Sequence, residues 1–216
     1  MILQQSAMSL LHPERLVFPY EQAMALALAI VPRANSALLL GLGGGAMVRF
    51  LAAYFPHCTP TIVEQEPIVV EFARRHFYIT EPVQLAEAAS FVMTARGRFD
   101  AILVDIYGGA GFSAPPLDFW DRCAALLNPH GTIAINWAEA RDKPLYQPHA
   151  ERAGQLAARA FYLAPNGFKD NVVQLCTRNP TLSEPRLRDR AADLARRLRR
   201  RSILNRCAIL DSFPSA

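Results

Sequence analysis

The sequence has few of the features that mark secreted, membrane-spanning or zinc-binding proteins. Its 216 residues contain four cysteines and no C-x-x-C spacing, which argues against a disulfide framework or a zinc knuckle. No stretch reaches the roughly 18 apolar residues of a membrane-spanning helix, and the start has no basic segment followed by an apolar one. Cys123 and Cys176 lie in apolar runs and are predicted to be small core residues. We therefore expect a cytoplasmic protein with reduced thiols, no metal and no membrane span.

Charge is also nearly balanced over most of the chain. The formal net charge is +4, yet nine arginines and only four acidic residues lie from Glu184 onward, which leaves 14 basic and 15 acidic residues before it. The basicity therefore belongs to the tail, and the body is not expected to bind nucleic acid. The segment N-P-T-L-S-E-P at 179–185 predicts a boundary before the tail.

The tail itself has the pattern of an amphipathic helix. Leu187, Ala191, Leu194 and Leu198 recur at helical spacing, and arginines occupy the other faces. We predict a helix that packs on the body and keeps a solvated basic face. Contact with anionic lipid or RNA phosphates is the alternative.

The body alternates apolar or β-branched runs with helical patterns, which is typical of a parallel sheet flanked by helices. Strands are predicted at 37–40, 61–63, 83–86, 101–104, 132–136 and 172–176. Helices are predicted at 45–55, 67–77, 88–95, 117–127 and 148–161. These elements place the chain in the α/β class.

A glycine-rich segment follows the first predicted strand and opens the first predicted helix. Residues 38–46 read L-L-L-G-L-G-G-G-A, with Gly41, Gly43, Gly44 and Gly45 in the turn. Glycines let the backbone turn sharply and approach a nucleotide, whose polar groups meet the free N–H groups of the helix start. The segment therefore predicts a nucleotide or nucleoside site.

An acidic residue ends the next predicted strand. Glu64 lies about 20 residues beyond the glycines, where a carboxylate can accept both hydrogen bonds of a ribose diol. Gly41, Gly43 and Ala46 also match the dinucleotide pattern G-x-G-x-x-A, so these residues alone do not separate NAD from an S-adenosyl ligand. No second domain follows that would position a hydride acceptor, which argues against NAD. A tight turn with a solvated glutamate is the alternative.

A second acidic residue follows the fourth predicted strand. Asp105 ends the run F-D-A-I-L-V-D, and a glycine-rich loop comes after it. Open α/β sheets bind their ligands at the carboxyl ends of the strands, so we predict that Asp105 belongs to the reaction centre. An aspartate that merely caps the following turn is the alternative.

Together these motifs resemble those of the polyamine aminopropyltransferases (spermidine synthases), which share the S-adenosylmethionine-dependent methyltransferase fold. The resemblance runs from about residue 14 to residue 177. The family's Y-H overlies residues 20–21, its G-G-G-D-G-G loop overlies residues 41–49, and its E-I-D overlies residues 64–66. Further along the chain, its G-D-G overlies residues 86–88, its D-S-S-D-P overlies residues 105–109, and its strand ending in Gln overlies residues 132–136. It implies a Rossmann-like methyltransferase fold over residues 1–180, with a mostly parallel seven-stranded sheet and helices on both faces. Residues 181–216 would form the arginine-rich helix or tail.

The resemblance also implies an activity and a set of site residues. The activity is transfer of an aminopropyl group from decarboxylated S-adenosylmethionine to a small-molecule amine in polyamine biosynthesis, with methylthioadenosine as product. The implied contacts of the adenosyl ligand include Glu64 for the ribose and Glu87 for the adenine. The others are Gly41, Gly43, Gly44, Gly45, Gln65 and Asp105, and Asp105 is also the implied base. The implied contacts of the amine are Tyr20, Tyr107, Asn136 and Trp137. Glu87 as a solvated helix-start residue, and Tyr107 and Trp137 as ordinary half-buried aromatics, are the alternatives.

Three departures from the family keep other functions open. Gly44 and Gly108 stand where the family has acidic residues, and only a short lead precedes Tyr20 where the family has an N-terminal β-strand domain. A methyltransferase that uses S-adenosylmethionine, and a non-catalytic nucleoside-binding protein, are the alternatives. If Asp105 is not the base, Glu21 and Glu139 are the next candidates, on loops near the same sheet edge. The resemblance also leaves a homodimer open.

Overall fold

Eight strands form one mixed sheet in the computed structural model, which describes residues 6–106, 115–138, 145–165 and 171–214. The strands are β1 (Ser36–Leu40), β2 (Thr59–Glu64), β3 (Val83–Leu85), β4 (Phe99–Val104), β5 (Leu127–Trp137), β6 (Arg159–Pro165), β7 (Val172–Thr177) and β8 (Cys207–Leu210). Their order is β3-β2-β1-β4-β5-β7-β6-β8. The first five strands of this order are parallel, and the last three add antiparallel pairs.

Eight helices cover the two faces of the sheet within the described ranges. They are α1 (Pro19–Met24), α2 (Leu26–Ile30), α3 (Ala46–Tyr54), α4 (Pro67–Phe77), α5 (Ala88–Thr94), α6 (Asp118–Ala125), α7 (Tyr146–Gln155) and α8 (Glu184–Arg197). Helices α1 to α4 and α8 share one apolar core with the sheet, and α5 to α7 share the other. None of the helices in these ranges is long and apolar enough to cross a bilayer. The predicted α/β class and methyltransferase-type fold are confirmed.

The sheet has one strand more than the predicted seven. Strand β8 comes from the tail and pairs with β6 from Cys207 opposite Pro165 to Leu210 opposite Tyr162. Strand β6 itself lies partly where the sequence predicted the end of a helix at 148–161; that helix ends at Gln155. The buried residues Phe161, Leu163 and Pro165 alternate with less buried ones, and this period of two matches a strand.

Two other stretches differ from the sequence-based expectation. The helix predicted at 117–127 ends at Ala125, because Leu127 already pairs with Phe99 at the start of β5. Helices α1 and α2 were not predicted. Residues 23–28 are all buried, so the stretch is apolar all round and shows no amphipathic period.

The arginine-rich tail joins the same sheet and core. Leu187, Ala191 and Leu194 of α8 are buried in the core that includes α2 and α3, as the helical spacing predicted. Arg197 donates a hydrogen bond to the Tyr54 carbonyl at 2.7 Å, and its guanidinium lies 4.8 Å from the ring centroid of Phe55. The tail therefore contributes packing to the body, and its division from residues 1–180 stays a prediction.

Loss of the apolar face of α8 should destabilise the whole protein. Leu187 is fully buried, so Leu187→Ala should lower the free energy of unfolding by about 2 to 5 kcal/mol through lost burial and the cavity left behind. Arg190→Ala on the exposed face of the same helix is the matched control and should change the free energy of unfolding by less than about 0.5 kcal/mol. Urea unfolding followed by circular dichroism measures both. Equal effects of the two substitutions would contradict the packing role of α8.

Candidate functional site

The candidate site lies where the strand order of the sheet reverses. Strand β1 pairs with β2 on one side and with β4 on the other, so the connections after β1 and β4 diverge to opposite sides. Doubly wound sheets bind ligands in the crevice that this divergence opens at the carboxyl ends of the strands. The glycine segment after β1 and Asp105 after β4 both lie there.

The glycine segment turns tightly against the end of β4. Gly41 has φ +98°, and a Cβ at this position would lie 2.1 Å from the Asp105 carbonyl oxygen. Gly43 and Gly45 also have positive φ, and Gly45 is the residue before the first turn of α3. Only glycine combines this backbone conformation with so close an approach. Most N–H groups of the turn already donate within the protein, that of Gly41 to the Val63 carbonyl at 2.9 Å and that of Gly45 to the Leu42 carbonyl at 2.8 Å. Among the described contacts the Gly43 N–H has no such acceptor, so it can face a ligand.

The N-terminal segment closes one side of the glycine turn. The Gly44 N–H donates a hydrogen bond to Ser6 Oγ at 2.9 Å, and Ser6 and Ala7 line the same cleft as the glycines. The sequence interpretation did not include Ser6. No sequence pattern pointed to Ser6, because it belongs to no motif and its contact with Gly44 joins residues 38 positions apart.

Glu64 holds the two loops beside β1 and β2 together. Its Oε2 accepts the Leu42 N–H at 3.0 Å, and its Oε1 accepts the N–H groups of Gln65 and Glu66 at 2.9 and 3.0 Å. The carboxylate is half-buried at the sheet edge, whereas the Gln65 side chain is exposed. Two carboxylate oxygens offer about four acceptor sites, so a further donor can be accommodated.

Asp105 is the centre of a polar network on the α1 side of the sheet. Asn136 Nδ2 donates to Asp105 Oδ1 at 2.9 Å, and Asn171 Nδ2 donates to Asn136 Oδ1 at 3.1 Å. The Tyr20 hydroxyl is a second hydrogen-bond partner of Asp105. Burial raises the pKa of Asp105 above its usual value, while the bonds from Asn136 and Tyr20 oppose that rise. The network orients a carboxyl group that binds a proton more readily than an exposed aspartate does.

A second acidic side chain lies in the same cleft. Glu21 is buried on α1, not on a loop as expected, and its Oε2 accepts the Phe18 N–H at 3.1 Å. Burial, and to a lesser extent the negative charge of Asp105, raises the pKa of Glu21 from 4.5 to about 7, while the Phe18 N–H and Arg49 oppose the rise. The other candidate named with it, Glu139, lies outside the described residues.

Tyr20, Glu21, Asp105 and the glycine turn line one open cleft at the crevice. Among the residues predicted as contacts, Tyr20, Gly41, Gly43, Gly44 and Asp105 line this cleft. Asn136 reaches it through its bond to Asp105.

Other predicted contacts lie elsewhere. Trp137 is fully buried in the opposite core, and its Nε1 donates to Gln174 Oε1 at 2.9 Å. Successive strand residues face opposite sides, so Asn136 and Trp137 cannot both reach the cleft, and Trp137 is corrected to a core residue. Glu87 is exposed at the start of α5 and accepts the Ser90 hydroxyl at 2.5 Å. Tyr107 and Gly108 lie outside the described residues.

The described residues contain no cluster of three or more His, Cys, Asp or Glu side chains that could hold a metal ion. The four cysteines are all buried and free, as predicted for Cys123 and Cys176. The polar groups gathered at the crevice are thus the Gly43 N–H, the hydroxyls of Ser6 and Tyr20, the Asn136 amide that bonds Asp105, and carboxyl groups.

Comparison with known proteins connects this cleft with one family. No family model matches the chain. A polyamine aminopropyltransferase from Chromobacterium violaceum is 32% identical over 199 residues, which cover 88% of this chain and 76% of that relative. The chain belongs to the polyamine aminopropyltransferase family. A member from Neisseria meningitidis is 29% identical over 203 residues and covers 83% of this chain and 76% of its own length.

Methyltransferases are similar over a shorter stretch. An eEF1A lysine and N-terminal methyltransferase homolog from Drosophila melanogaster is 31% identical over 123 residues, which are 50% of this chain and 18% of that protein. This family member is thus a transferase with S-adenosylmethionine-related chemistry.

Two solved structures share its fold. Human methyltransferase-like protein 13 in complex with SAH has a TM-score of 0.74 at 23% identity, covering 85% of this chain and 94% of that one. A probable spermidine synthase from Corynebacterium glutamicum has a TM-score of 0.73 at 18% identity, with 93% and 77% covered. At these identities the likeness concerns the fold alone.

Proposed function

We propose that this aminopropyltransferase family member transfers an aminopropyl group from decarboxylated S-adenosylmethionine to a small amine. The observation that carries the proposal is the Asp105 carboxyl group, which Asn136 and Tyr20 orient at the edge of the glycine turn. A base at this place lies beside the segment that would hold the adenosyl ligand. Family membership supports the same reaction.

In the proposed reaction an amine nitrogen displaces a thioether from carbon. The acceptor arrives as an ammonium and loses one proton to the Asp105 carboxylate. Its nitrogen then forms a bond to the methylene carbon beside the sulfonium, and the C–S bond breaks with its electron pair on sulfur. The products are methylthioadenosine and the aminopropylated ammonium, and the proton on Asp105 passes to solvent. Because burial raises the pKa of Asp105, it is a better proton acceptor than an exposed aspartate.

The adenosyl co-substrate would lie along the carboxyl ends of β1 and β2. The Gly43 N–H would face it, and Glu64 would accept a hydrogen bond of its ribose. Glu87 and Gln65 stay proposed contacts at the outer end of the same edge. The tight approach of Gly41 to Asp105 would keep the reacting carbon near the base.

Binding and turnover experiments test the proposal together. Calorimetry with S-adenosylmethionine, its decarboxylated form and methylthioadenosine identifies the ligand, and mass spectrometry of reactions with a panel of diamines and polyamines identifies the product. We expect binding of the decarboxylated form and a product heavier than the acceptor by one aminopropyl group. Binding without transfer to any amine would contradict the activity and favour a non-catalytic nucleoside-binding protein.

A methyltransferase is the second candidate, favoured by one observation. Gly44 has no side chain where the family resemblance places an acid, and its N–H meets the uncharged Ser6 hydroxyl. This end of the cleft therefore carries no acidic side chain on the turn to attract an aminopropyl ammonium. Methylated product from S-adenosylmethionine, with none from the decarboxylated form, would establish this candidate in place of the first.

The proposed ribose contact predicts a large loss of affinity. Glu64→Ala should weaken binding of methylthioadenosine by about 2 to 3 kcal/mol, because a charge-assisted hydrogen bond to the ribose is lost. Glu64→Gln should lose less, since one acceptor oxygen remains. Glu66→Ala, two residues away and exposed, is the control and should bind as wild type does. Unchanged affinity of Glu64→Ala in calorimetry would overturn this placement of the ribose.

A further inference from the structure

We infer that Glu21 forms, together with Asp105, the binding site for an alkylammonium group of the acceptor. This inference rests on the proposed function and adds to it a substrate class and a residue. In the sequence, the second acid of the family's catalytic loop is replaced by Gly108, so a carboxylate from α1 provides the second negative charge from a different direction.

Glu21 is well placed and rigidly held. It is only 9% exposed and lines the cleft with Asp105 and Tyr20. The backbone N–H of Phe18 anchors its Oε2, and Pro19 starts α1 directly after this bond, so the carboxyl group is fixed relative to the helix. A carboxyl group held in this way is organised before a ligand arrives.

Within the described residues no cation is paired with Glu21. The guanidinium of Arg49 acts on Glu21 through its charge, without a hydrogen bond between them among the described contacts. Arg49 donates instead to the carbonyls of Gly44 at 2.7 Å, Phe77 at 3.1 Å and Pro13 at 2.9 Å. Backbone carbonyls therefore occupy three of its five N–H donors.

Two carboxyl groups in one cleft without a paired cation are electrostatically unfavourable when both are ionised. Their mutual effect is visible in Glu21, whose pKa the charge of Asp105 helps to raise. A bound ammonium would stabilise both ionised forms and offer its N–H donors to both carboxylates. The charge balance of the cleft thus favours a cationic ligand over a neutral or anionic one.

Apolar side chains also line the cleft, and they limit the ligand further. Met24, Leu39, Met47 and Leu103 line it beside the two acids. These side chains can pack against the methylene groups of a ligand while its charged end meets the two acids. The site therefore fits the ammonium end of an aliphatic amine.

The test measures amine binding apart from turnover. Calorimetry titrates 1,4-diaminobutane into protein saturated with methylthioadenosine at pH 8. Glu21→Gln keeps an oxygen for the Phe18 N–H and nearly the same volume, so it should fold as wild type does. We expect this variant to lose at least about tenfold in amine affinity, since a charge-assisted contact is removed. Its affinity for methylthioadenosine should stay within about twofold, and Glu71→Gln on the exposed face of α4 is the control for lost charge.

Two further readouts separate binding from a structural role. Between pH 6 and pH 8 Glu21 passes from mostly protonated to mostly ionised, so wild-type amine affinity should rise by about tenfold from this group. Asp105 and Arg49 face the same carboxyl group and remain in Glu21→Gln, so the difference between the two proteins isolates Glu21. Glu21→Asp, which restores the charge on a shorter side chain, should recover part of the affinity.

Each outcome decides one of the two proposals. Equal amine affinity of wild type and Glu21→Gln, or no amine binding by wild type, would overturn the role of Glu21. Amine binding that depends on Glu21, without transfer from decarboxylated S-adenosylmethionine, would keep the amine site and overturn the aminopropyltransferase proposal. Transfer at the wild-type rate and KM by Glu21→Gln would keep that proposal and remove Glu21 from it.

Discussion

Asp105→Asn should lower turnover by about 10² to 10⁴, the usual contribution of a positioned general base. The amide has nearly the shape of the carboxyl group and can still accept the hydrogen bond from Asn136, but it cannot take a proton. We therefore expect methylthioadenosine to bind with little change. Rates of product formation with saturating amine, measured beside calorimetry on the same preparations, test both parts.

The control for this substitution is Asp118→Asn, at the exposed first turn of α6 and away from the cleft. It should leave turnover and ligand affinity unchanged within about twofold. In wild type, turnover should also fall as the pH drops through the raised pKa of Asp105, because only the ionised carboxylate is a base. Full activity of Asp105→Asn would place the base elsewhere, and Glu21 would then be the next candidate.

The parts of the site that follow from short-range sequence patterns were predictable. The glycine turn, Glu64 and Asp105 each come directly after apolar residues of a strand, and the ends of neighbouring parallel strands must meet at one sheet edge. Local pattern therefore placed Gly41 near Asp105, although these residues are 64 positions apart. The atomic contact between them follows from the pairing of β1 and β4.

The parts that depend on tertiary docking were not predictable. Glu21 is buried because α1 lies over the crevice, and the apolar sequence around it gave no period that would place a helix there. Asn171 reaches Asn136 only because β7 runs antiparallel beside β5. Trp137 shows the converse error. An aromatic next to a site residue on a strand was assigned to the site, although alternation along the strand turns it into the opposite core.

The tail illustrates how composition can mislead about structure. Its arginines suggested a segment separate from the body, yet the apolar residues between them complete the core on one face and the sheet at one edge. Long charged side chains cover apolar surface with their stems while their charges stay in water, so a high charge content and close packing are compatible.

Gly41→Ala should be the most damaging single substitution at the glycine turn. The added methyl group would lie 2.1 Å from the Asp105 carbonyl oxygen, and the residue would have to keep φ +98°. The left-handed backbone alone costs roughly 1 to 2 kcal/mol for a residue with a Cβ. The clash adds to this cost, because β1 and β4 are paired on both sides and cannot easily separate. We expect a loss of about 3 kcal/mol or more in the free energy of unfolding.

Gly97→Ala separates the clash from the backbone strain. Gly97 has φ +99°, almost the same as Gly41, but a Cβ there would meet no atom within 4 Å. The free energy of unfolding of Gly97→Ala should therefore fall only by roughly 1 to 2 kcal/mol, the cost of the left-handed conformation. This variant should bind methylthioadenosine as wild type does. In Gly41→Ala the Asp105 carbonyl must move by roughly 1 Å, and a displacement of that size at a reacting centre can cost about 10²-fold in rate. If urea unfolding and turnover gave equal losses for the two variants, the close approach of the glycine turn to Asp105 would have no role in the site.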